Sequence, residues 1–278
     1  MANVSAADVK RLRDQTGAGF IDCKKALEKT GGDIEMAVEE LRLKGLKDVN
    51  KRADRAASNG LVAAVLDGHE SGVLFELNCE TDFVAKTELF QKLAADISDV
   101  IARVKPADRL ALLAAEPAPG TTVQQLIEKA AASLKEKLEL GRFARFDGGY
   151  VVSYLHKSDP ALPPTNGSLV QFDSEGGEVT REVAQQIVAM RPQYLRREDV
   201  PADVVERERR IAEQITREEG KPENIVPKIV EGRLNRFYAD VVLTEQAFVK
   251  DPKKNIKKVL DENGVAVRGF ARFQVGQA

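Results

Sequence analysis

Apolar residues recur at helical spacing near the start of the chain and predict three short amphipathic helices. Ser5 and Asp8 match a capping box for the first helix, and Gly31 and Gly32 end the second. Asp33 caps the third helix, which we expect to end at Gly45. The inward positions are Val9, Leu12, Cys23, Ala26, Leu27, Ile34, Ala37, Val38 and Leu41. We therefore predict that residues 1–55 form a small helical bundle followed by a charged helical linker.

From Gly60 the apolar pattern changes to strand-like runs separated by turn residues, which indicates a β-hairpin. A long helix and two shorter helical stretches follow. We expect residues 56–145 to form a first α+β subdomain. The predicted elements are strands at 61–66 and 73–77 and helices at 83–101, 108–116 and 122–140.

The same arrangement recurs in the second half of the chain. Two strand-like runs, separated by an exposed Pro-rich insert at 157–164, precede another amphipathic helix. Residues 146–195 and 233–278 are assigned to this second subdomain, which ends in a strand. A hairpin followed by a helix, found twice, predicts an α+β fold whose two antiparallel sheets are each covered by helices.

A highly charged segment interrupts the second subdomain at 196–232. Between positions 196 and 220, six basic and eight acidic residues leave only a narrow apolar seam through Val204, Ile211 and Ile215. This pattern predicts a coiled-coil helical hairpin that projects from the core. From the residues alone, its exposed face is equally consistent with a partner surface and with a solvated arm.

Composition narrows the classes of function. The 42 basic and 44 acidic residues give a net charge of -2, which argues against a general nucleic-acid binder. Cys23 and Cys79 are too far apart for metal-ligand spacing, and the chain has neither a signal pattern nor an apolar run of membrane-spanning length. We expect a cytoplasmic protein without metal or cofactor. No catalytic constellation is visible in the spacing of the few His and Cys residues.

The segment 78–86 contains the most informative local pattern. Thr81 or Asp82 is an N-cap at a strand-to-helix corner, and Phe83 and Val84 begin an apolar stripe. The same residues also place a carboxylate beside a large aromatic ring at an exposed corner. A ring on a rigid element is well suited to act as a wedge in another protein. Both interpretations remain open from periodicity alone.

Five segments of the chain resemble the bacterial elongation factor Ts family. They are VKRLRDQTGAGFIDCKKAL (9–27), GDIEMAVEELR (32–42), ELNCETDFVAK (76–86), IVEGRLNRF (229–237) and VRGFARFQVG (267–276). The resemblance implies a ubiquitin-associated-like N-terminal bundle, a two-part α+β core and an inserted coiled-coil hairpin.

The resemblance also implies a function, namely guanine nucleotide exchange on elongation factor Tu, the GTPase that delivers aminoacyl-tRNA. Phe83 would enter the GTPase beside its magnesium site, and Asp82 would fix the corner and make polar contacts there. Thr81 and Val84 are implied as partner-binding residues at the same place. Further partner contacts are implied at Arg13, Phe20 and Ile21 in the bundle and at Leu134, Leu138 and His156 in the core. Such a factor needs no catalytic residue of its own.

Two other classes of function compete with nucleotide exchange. One is a helical adaptor that tethers a partner without affecting its nucleotide, and the other is a small-molecule enzyme using Asp, Glu or Lys side chains in the core. On the leading hypothesis the partner is elongation factor Tu, with no direct nucleic acid and no membrane. A homodimer, or a heterotetramer with the GTPase, is compatible with the projecting hairpin.

Overall fold

The computed structural model describes residues 4–159 and 161–277. The first three positions of the predicted unit 1–55, Pro160 of the insert 157–164 and the last position of 233–278 lie outside the described residues. The helices are α1 (Ala6–Thr16), α2 (Phe20–Lys29), α3 (Ile34–Asn50), α4 (Asp82–Ala85), α5 (Glu88–Val104), α6 (Arg109–Ala114), α7 (Val123–Leu134), α8 (Glu178–Met190), α9 (Ala202–Glu218), α10 (Val226–Val241) and α11 (Ile256–Asn263). The strands are β1 (Asn59–Asp67), β2 (Ser71–Cys79), β3 (Leu138–Asp147), β4 (Tyr150–His156), β5 (Asn166–Phe172), β6 (Ala247–Phe248), β7 (Asp251–Asn255) and β8 (Val267–Gln274).

Helices α1 to α3 form the predicted N-terminal bundle around a small apolar core. Ser5 accepts a hydrogen bond from the Asp8 N–H, and Asp33 accepts one from the Met36 N–H, so both predicted caps are confirmed. The third helix does not stop at Gly45 but continues to Asn50. The absence of a side chain at Gly45 lets α3 approach α7, since a Cβ there would lie 3.1 Å from the Cβ of Ala132. The predicted helical linker is therefore helix only as far as Asn50, and residues 51–58 are not helical.

Two antiparallel three-stranded sheets form the core, in the orders β1-β2-β3 and β4-β5-β8. The sheets pack face to face, with Val62 and Leu74 against Val151, Leu169 and Phe273. Helices α5 and α7 cover the outer face of the first sheet, and α8 and α11 cover that of the second. This arrangement confirms the predicted α+β class with antiparallel sheets and helical cover.

The first half differs from the sequence prediction at two points. The predicted long helix at 83–101 is divided into α4 and α5, because the Thr87 side chain caps a new helix by accepting from the Phe90 N–H. The predicted helix at 122–140 ends at Leu134, where Lys135 adopts a left-handed conformation with φ +61°. The chain then enters β3, whose Leu138 pairs with Cys79 of β2.

Helices α9 and α10 form a helical hairpin, whose small apolar seam contains Ala212, Val226 and Val230. The predicted seam is wrong at Ile211 and Ile215, which are exposed, because the buried positions of α9 are Ala212 and Thr216. Helix α10 continues without a break to Val241, so the second arm and the following core helix are one element. At the base, the Arg197 guanidinium lies 4.1 Å from the Tyr238 ring centroid. Among the described residues, no helix has both the length and the apolar character required to cross a membrane.

Candidate functional site

The strand-to-helix corner between β2 and α4 is fixed by Thr81. Its hydroxyl accepts from the Val84 N–H at 3.3 Å, so Thr81 is the N-cap and Asp82 is the first helical residue. The same hydroxyl donates to Glu136 Oε1 at 2.6 Å, and the Thr81 N–H donates to Glu136 Oε2 at 3.0 Å. One carboxylate therefore holds both the backbone and the side chain of the cap.

Below the corner, Val84 and Ala85 turn inward into the first core. The Cys79 thiol is fully buried and donates to the Thr81 carbonyl at 3.1 Å. Burial, with a smaller contribution from the Glu136 carboxylate, raises the pKa of Cys79 to about 12. Because only the thiolate is a strong nucleophile, Cys79 acts here as a packing residue.

Glu80 fixes the corner from its other side. Its carboxylate accepts from the Lys137 N–H at 2.6 Å and from Arg55 Nη1 at 3.1 Å, while the Asn59 amide donates to its carbonyl at 2.8 Å. Burial alone would raise the pKa of Glu80, but the hydrogen bonds from Lys137 and Arg55 lower it overall. Glu80 therefore remains ionised and connects the linker, β1 and the residue before β3 to the corner.

Phe83 projects from this fixed corner into solvent, with 78% of its surface exposed. The expectation that Phe83 begins the buried stripe is therefore wrong, whereas it is correct for Val84. Asp82 pairs with Lys86 at 2.6 Å, and this hydrogen bond lowers the pKa of Asp82. The Lys86 ammonium lies 6.0 Å from the Phe83 ring centroid. An aromatic ring and an ionised carboxylate thus stand side by side on one short helix.

The predicted bundle residues are also at the surface. Phe20 and Ile21 are 50% and 68% exposed at the start of α2, and Arg13 is exposed on α1. Their neighbour Asp22 accepts from Lys44 Nζ at 2.6 Å and lies 4.0 Å from Lys135 Nζ at the end of α7. Glu136, which binds Thr81 at the Phe83 corner, directly follows Lys135. Two residues adjacent in sequence therefore contact the bundle and the corner, respectively.

Comparison with known proteins agrees with this architecture. The family model described as Elongation factor TS matches residues 80–277, more than two thirds of the chain. The chain is 60% identical over 278 residues to an elongation factor Ts of Thermobifida fusca, covering 100% of both chains. The chain belongs to the elongation factor Ts family. It is also 54% identical over 277 residues to the elongation factor Ts of Streptomyces coelicolor and 55% identical over 278 residues to that of Mycobacterium ulcerans.

Elongation factor Ts proteins are the nucleotide exchange factors of elongation factor Tu. The remaining residues that the family resemblance suggests as partner contacts differ in their solvent exposure. His156 is exposed at the end of β4, with its Nδ1 3.2 Å from the Tyr154 hydroxyl. Leu134 is partly buried against the first core. Leu138 is only 7% exposed, so its side chain supports the corner from inside and is not available to a partner.

Sequence reasoning on this elongation factor Ts chain missed Glu136, which lies 55 positions from Thr81. No spacing rule connects the two residues; only the pairing of β3 with β2 brings them together. Among the described residues there is no cluster of three or more His, Cys, Asp or Glu that could hold a metal ion. The corner offers a shaped, charged surface for a partner.

Proposed function

We propose that Phe83 is the wedge through which this elongation factor Ts chain promotes GDP release from elongation factor Tu. The observation that carries the proposal is a large aromatic ring, 78% exposed, on a helix whose cap is held twice by Glu136. A rigidly mounted ring loses little conformational freedom when it enters a pocket, so more of its burial energy contributes to binding.

The wedge acts by differential affinity. Phe83 binds best to a conformation of the GTPase whose magnesium and phosphate contacts are disturbed, and binding shifts the population toward that conformation. By thermodynamic reciprocity, guanine nucleotide and the factor weaken each other's affinity for the GTPase. Nucleotide rebinding therefore expels the factor, and no covalent step or cofactor is required of this chain.

Asp82 and the bundle orient the Phe83 ring relative to the GTPase. The Asp82 carboxylate, kept ionised by Lys86, supplies a polar contact beside the ring, and Thr81 and Val84 hold the turn beneath it. Arg13, Phe20 and Ile21 provide a second contact on the same GTPase, and His156 a third. Two or more contacts on one partner fix the direction from which Phe83 enters.

We propose the following organisation around this site. The units are a ubiquitin-associated-like bundle with its linker at 1–55, core subdomains at 56–145 and at 146–195 with 233–278, and a coiled-coil hairpin at 196–232. The factor works in the cytoplasm on elongation factor Tu without direct nucleic-acid or membrane contact. The projecting hairpin is compatible with a homodimer or with a heterotetramer that includes the GTPase.

The test is stopped-flow release of a fluorescent GDP analogue from elongation factor Tu. We expect the purified factor to accelerate release in a saturable manner. Binding that leaves the release rate unchanged would instead support an adaptor, and turnover of a small molecule without the GTPase would support an enzyme. Either result would overturn the proposed function.

A further inference from the structure

The linker between the bundle and the first sheet, residues 51–58, is held by hydrogen bonds along its first half. The Arg52 N–H donates to the Val49 carbonyl at 2.9 Å, and the Arg55 N–H donates to the Arg52 carbonyl at 3.0 Å. Val49, near the end of α3, also packs against the first core. Hydrogen bonds that join residues three apart define consecutive turns. The chain therefore follows a fixed path from α3 as far as Arg55.

Arg55 is bound to the corner that carries Phe83. Its Nη1 donates to both oxygens of the Glu80 carboxylate, at 3.1 and 3.3 Å. The Lys137 N–H donates to the same carboxylate at 2.6 Å, and the Lys137 ammonium donates to the Arg55 carbonyl at 3.0 Å. Each of these three residues therefore contacts the other two. We call Arg55, Glu80 and Lys137 the linker clamp.

Two of the three side chains of the linker clamp are largely shielded from water. The Glu80 and Lys137 side chains are 19% and 20% exposed, whereas that of Arg55 is 54% exposed. An isolated ion pair on the surface contributes little, but here one carboxylate accepts from two residues and one ammonium holds the backbone of the linker. Among the described residues, Arg55 pairs with no carboxylate other than Glu80. The position of the linker therefore depends on the clamp.

The linker clamp lies on the path between the two surfaces that the proposed function places on the GTPase. On one side, the bundle exposes Phe20 and Ile21, and its last helix leads to Arg55. On the other side, Glu80 lies three positions before Phe83. When two joined contacts bind one partner, the second binds at an effective concentration that depends on their connection. A connection already fixed at the right spacing loses less conformational entropy on binding than a loose one.

We propose that Arg55, Glu80 and Lys137 are positioning residues that hold the bundle contact and the Phe83 ring at the spacing required by one GTPase. The inference rests on the proposed function, because that function assigns both contacts to the same partner. None of the three residues needs to touch the partner. They act on how strongly the two contacts support each other, whereas Glu136 orients the ring alone.

The experiment is a double-mutant cycle in stopped-flow GDP release from elongation factor Tu. It compares Arg55→Gln in the wild-type chain with Arg55→Gln in a chain whose bundle contact is removed by Phe20→Ala and Ile21→Ala, both at exposed positions. We expect Arg55→Gln to raise the factor concentration for half-maximal release about fivefold when the bundle contact is present and less than about twofold when it is absent. The maximal rate should not change, because Glu136 still holds the cap of α4.

Further variants separate positioning from a general loss of stability. Lys137→Met removes the ammonium that binds the Arg55 carbonyl but keeps the N–H that binds Glu80, and it should show the same dependence on the bundle contact. Arg55→Lys keeps a cation opposite Glu80 and should recover part of the lost affinity. Lys257→Gln, which breaks an exposed pair with Asp261 at 2.8 Å on α11, is the matched control and should behave as wild type.

Two results would overturn the positioning role while wild type accelerates release. One is an equal effect of Arg55→Gln with and without the bundle contact, which would show a structural role only. The other is a half-maximal concentration that stays at the wild-type value in both Arg55→Gln and Lys137→Met. If wild type binds the GTPase without accelerating release, the proposed function fails separately, and the same cycle measured by calorimetric binding decides whether the linker clamp couples the contacts. Absence of binding would overturn both.

Discussion

Glu136 holds Thr81 through two hydrogen bonds, one to the hydroxyl at 2.6 Å and one to the backbone N–H at 3.0 Å. The carboxylate comes from the segment between α7 and β3, while the threonine caps α4. This pair fixes the helix from which Phe83 projects. The orientation of the wedge therefore depends on a residue that itself has no need to touch the partner.

Glu136→Gln should loosen the corner. Both Thr81 groups donate to Glu136, so the NH₂ group of a glutamine would face one of these donors and that hydrogen bond would be lost. We expect a loss of about 1–3 kcal/mol in the free energy of unfolding, measured by urea titration. The maximal rate of GDP release should also fall, since the ring is less well oriented. Glu175→Gln, at an exposed acidic position, is the matched control and should change neither quantity. Wild-type stability and rate in Glu136→Gln would refute the positioning role.

Lys135 ends α7 in a left-handed conformation with φ +61°, which favours glycine. Lys135→Gly should therefore raise the free energy of unfolding by about 0.5–1 kcal/mol, because relief of backbone strain exceeds the added entropy of the unfolded chain. The same substitution at Lys129, inside α7, should lower it by about 1 kcal/mol. Thermal and urea unfolding of both variants check the opposite signs.

Asp22 makes the stability of the bundle sensitive to acid. A hydrogen bond from Lys44, with smaller contributions from the charges of Lys44 and Lys135, lowers the pKa of Asp22 below its ordinary 3.8. A carboxyl whose pKa is lower in the folded state stabilises the fold above its unfolded pKa. That contribution is lost as pH falls through the folded value. We therefore expect Asp22→Asn to cost about 0.5–1 kcal/mol near neutral pH and progressively less below pH 3.8.

Unfolding measured across this pH range tests the prediction for Asp22. High salt should reduce the difference between wild type and Asp22→Asn at neutral pH, because the pairs with Lys44 and Lys135 are partly exposed. Asp14→Asn, an exposed position on α1, should show neither effect. A difference that grows as pH falls would contradict the assigned direction.

Cys23 and Cys79 should report separately on the bundle and the core. Both thiols are fully buried, and burial raises both pKa values, that of Cys79 to about 12. We expect neither thiol to react with a disulfide reagent in the native protein at neutral pH. In mild denaturant Cys23 should react first, since the bundle has the smaller apolar core. Equal rates at the two sites would show that bundle and core open together.

Local patterns were sufficient for much of the fold. Alternating apolar residues located the two hairpins, and the caps at Ser5 and Asp33 were found because each acts on a backbone N–H three residues away. Strand β3 was missed because it follows α7 closely and its identity depends on pairing with β2. Gly45 was taken for a helix end because its reason, the approach to Ala132, is a tertiary contact.

For the site too, the local sequence predicted some features, whereas others depend on contacts between distant residues. The sequence indicated a corner with a carboxylate and an aromatic ring, but periodicity could not decide whether Phe83 is buried or exposed. That outcome depends on the short length of α4 and on the cap at Thr81, which turn Val84 inward and leave Phe83 in solvent. The position of Glu136 depends on strand pairing, which no local pattern records.

Stopped-flow release of a fluorescent GDP analogue from elongation factor Tu by Phe83→Ala tests the central claim most directly. The matched control is Leu110→Ala on α6, because Leu110 is 72% exposed and Phe83 is 78% exposed. Both variants should keep the wild-type free energy of unfolding to within about 0.5 kcal/mol, since neither side chain is buried. We predict that Phe83→Ala lowers the maximal release rate at least about tenfold, a loss typical of an aromatic hot spot, while Leu110→Ala matches wild type. A folded Phe83→Ala protein that releases GDP as fast as wild type would contradict the account.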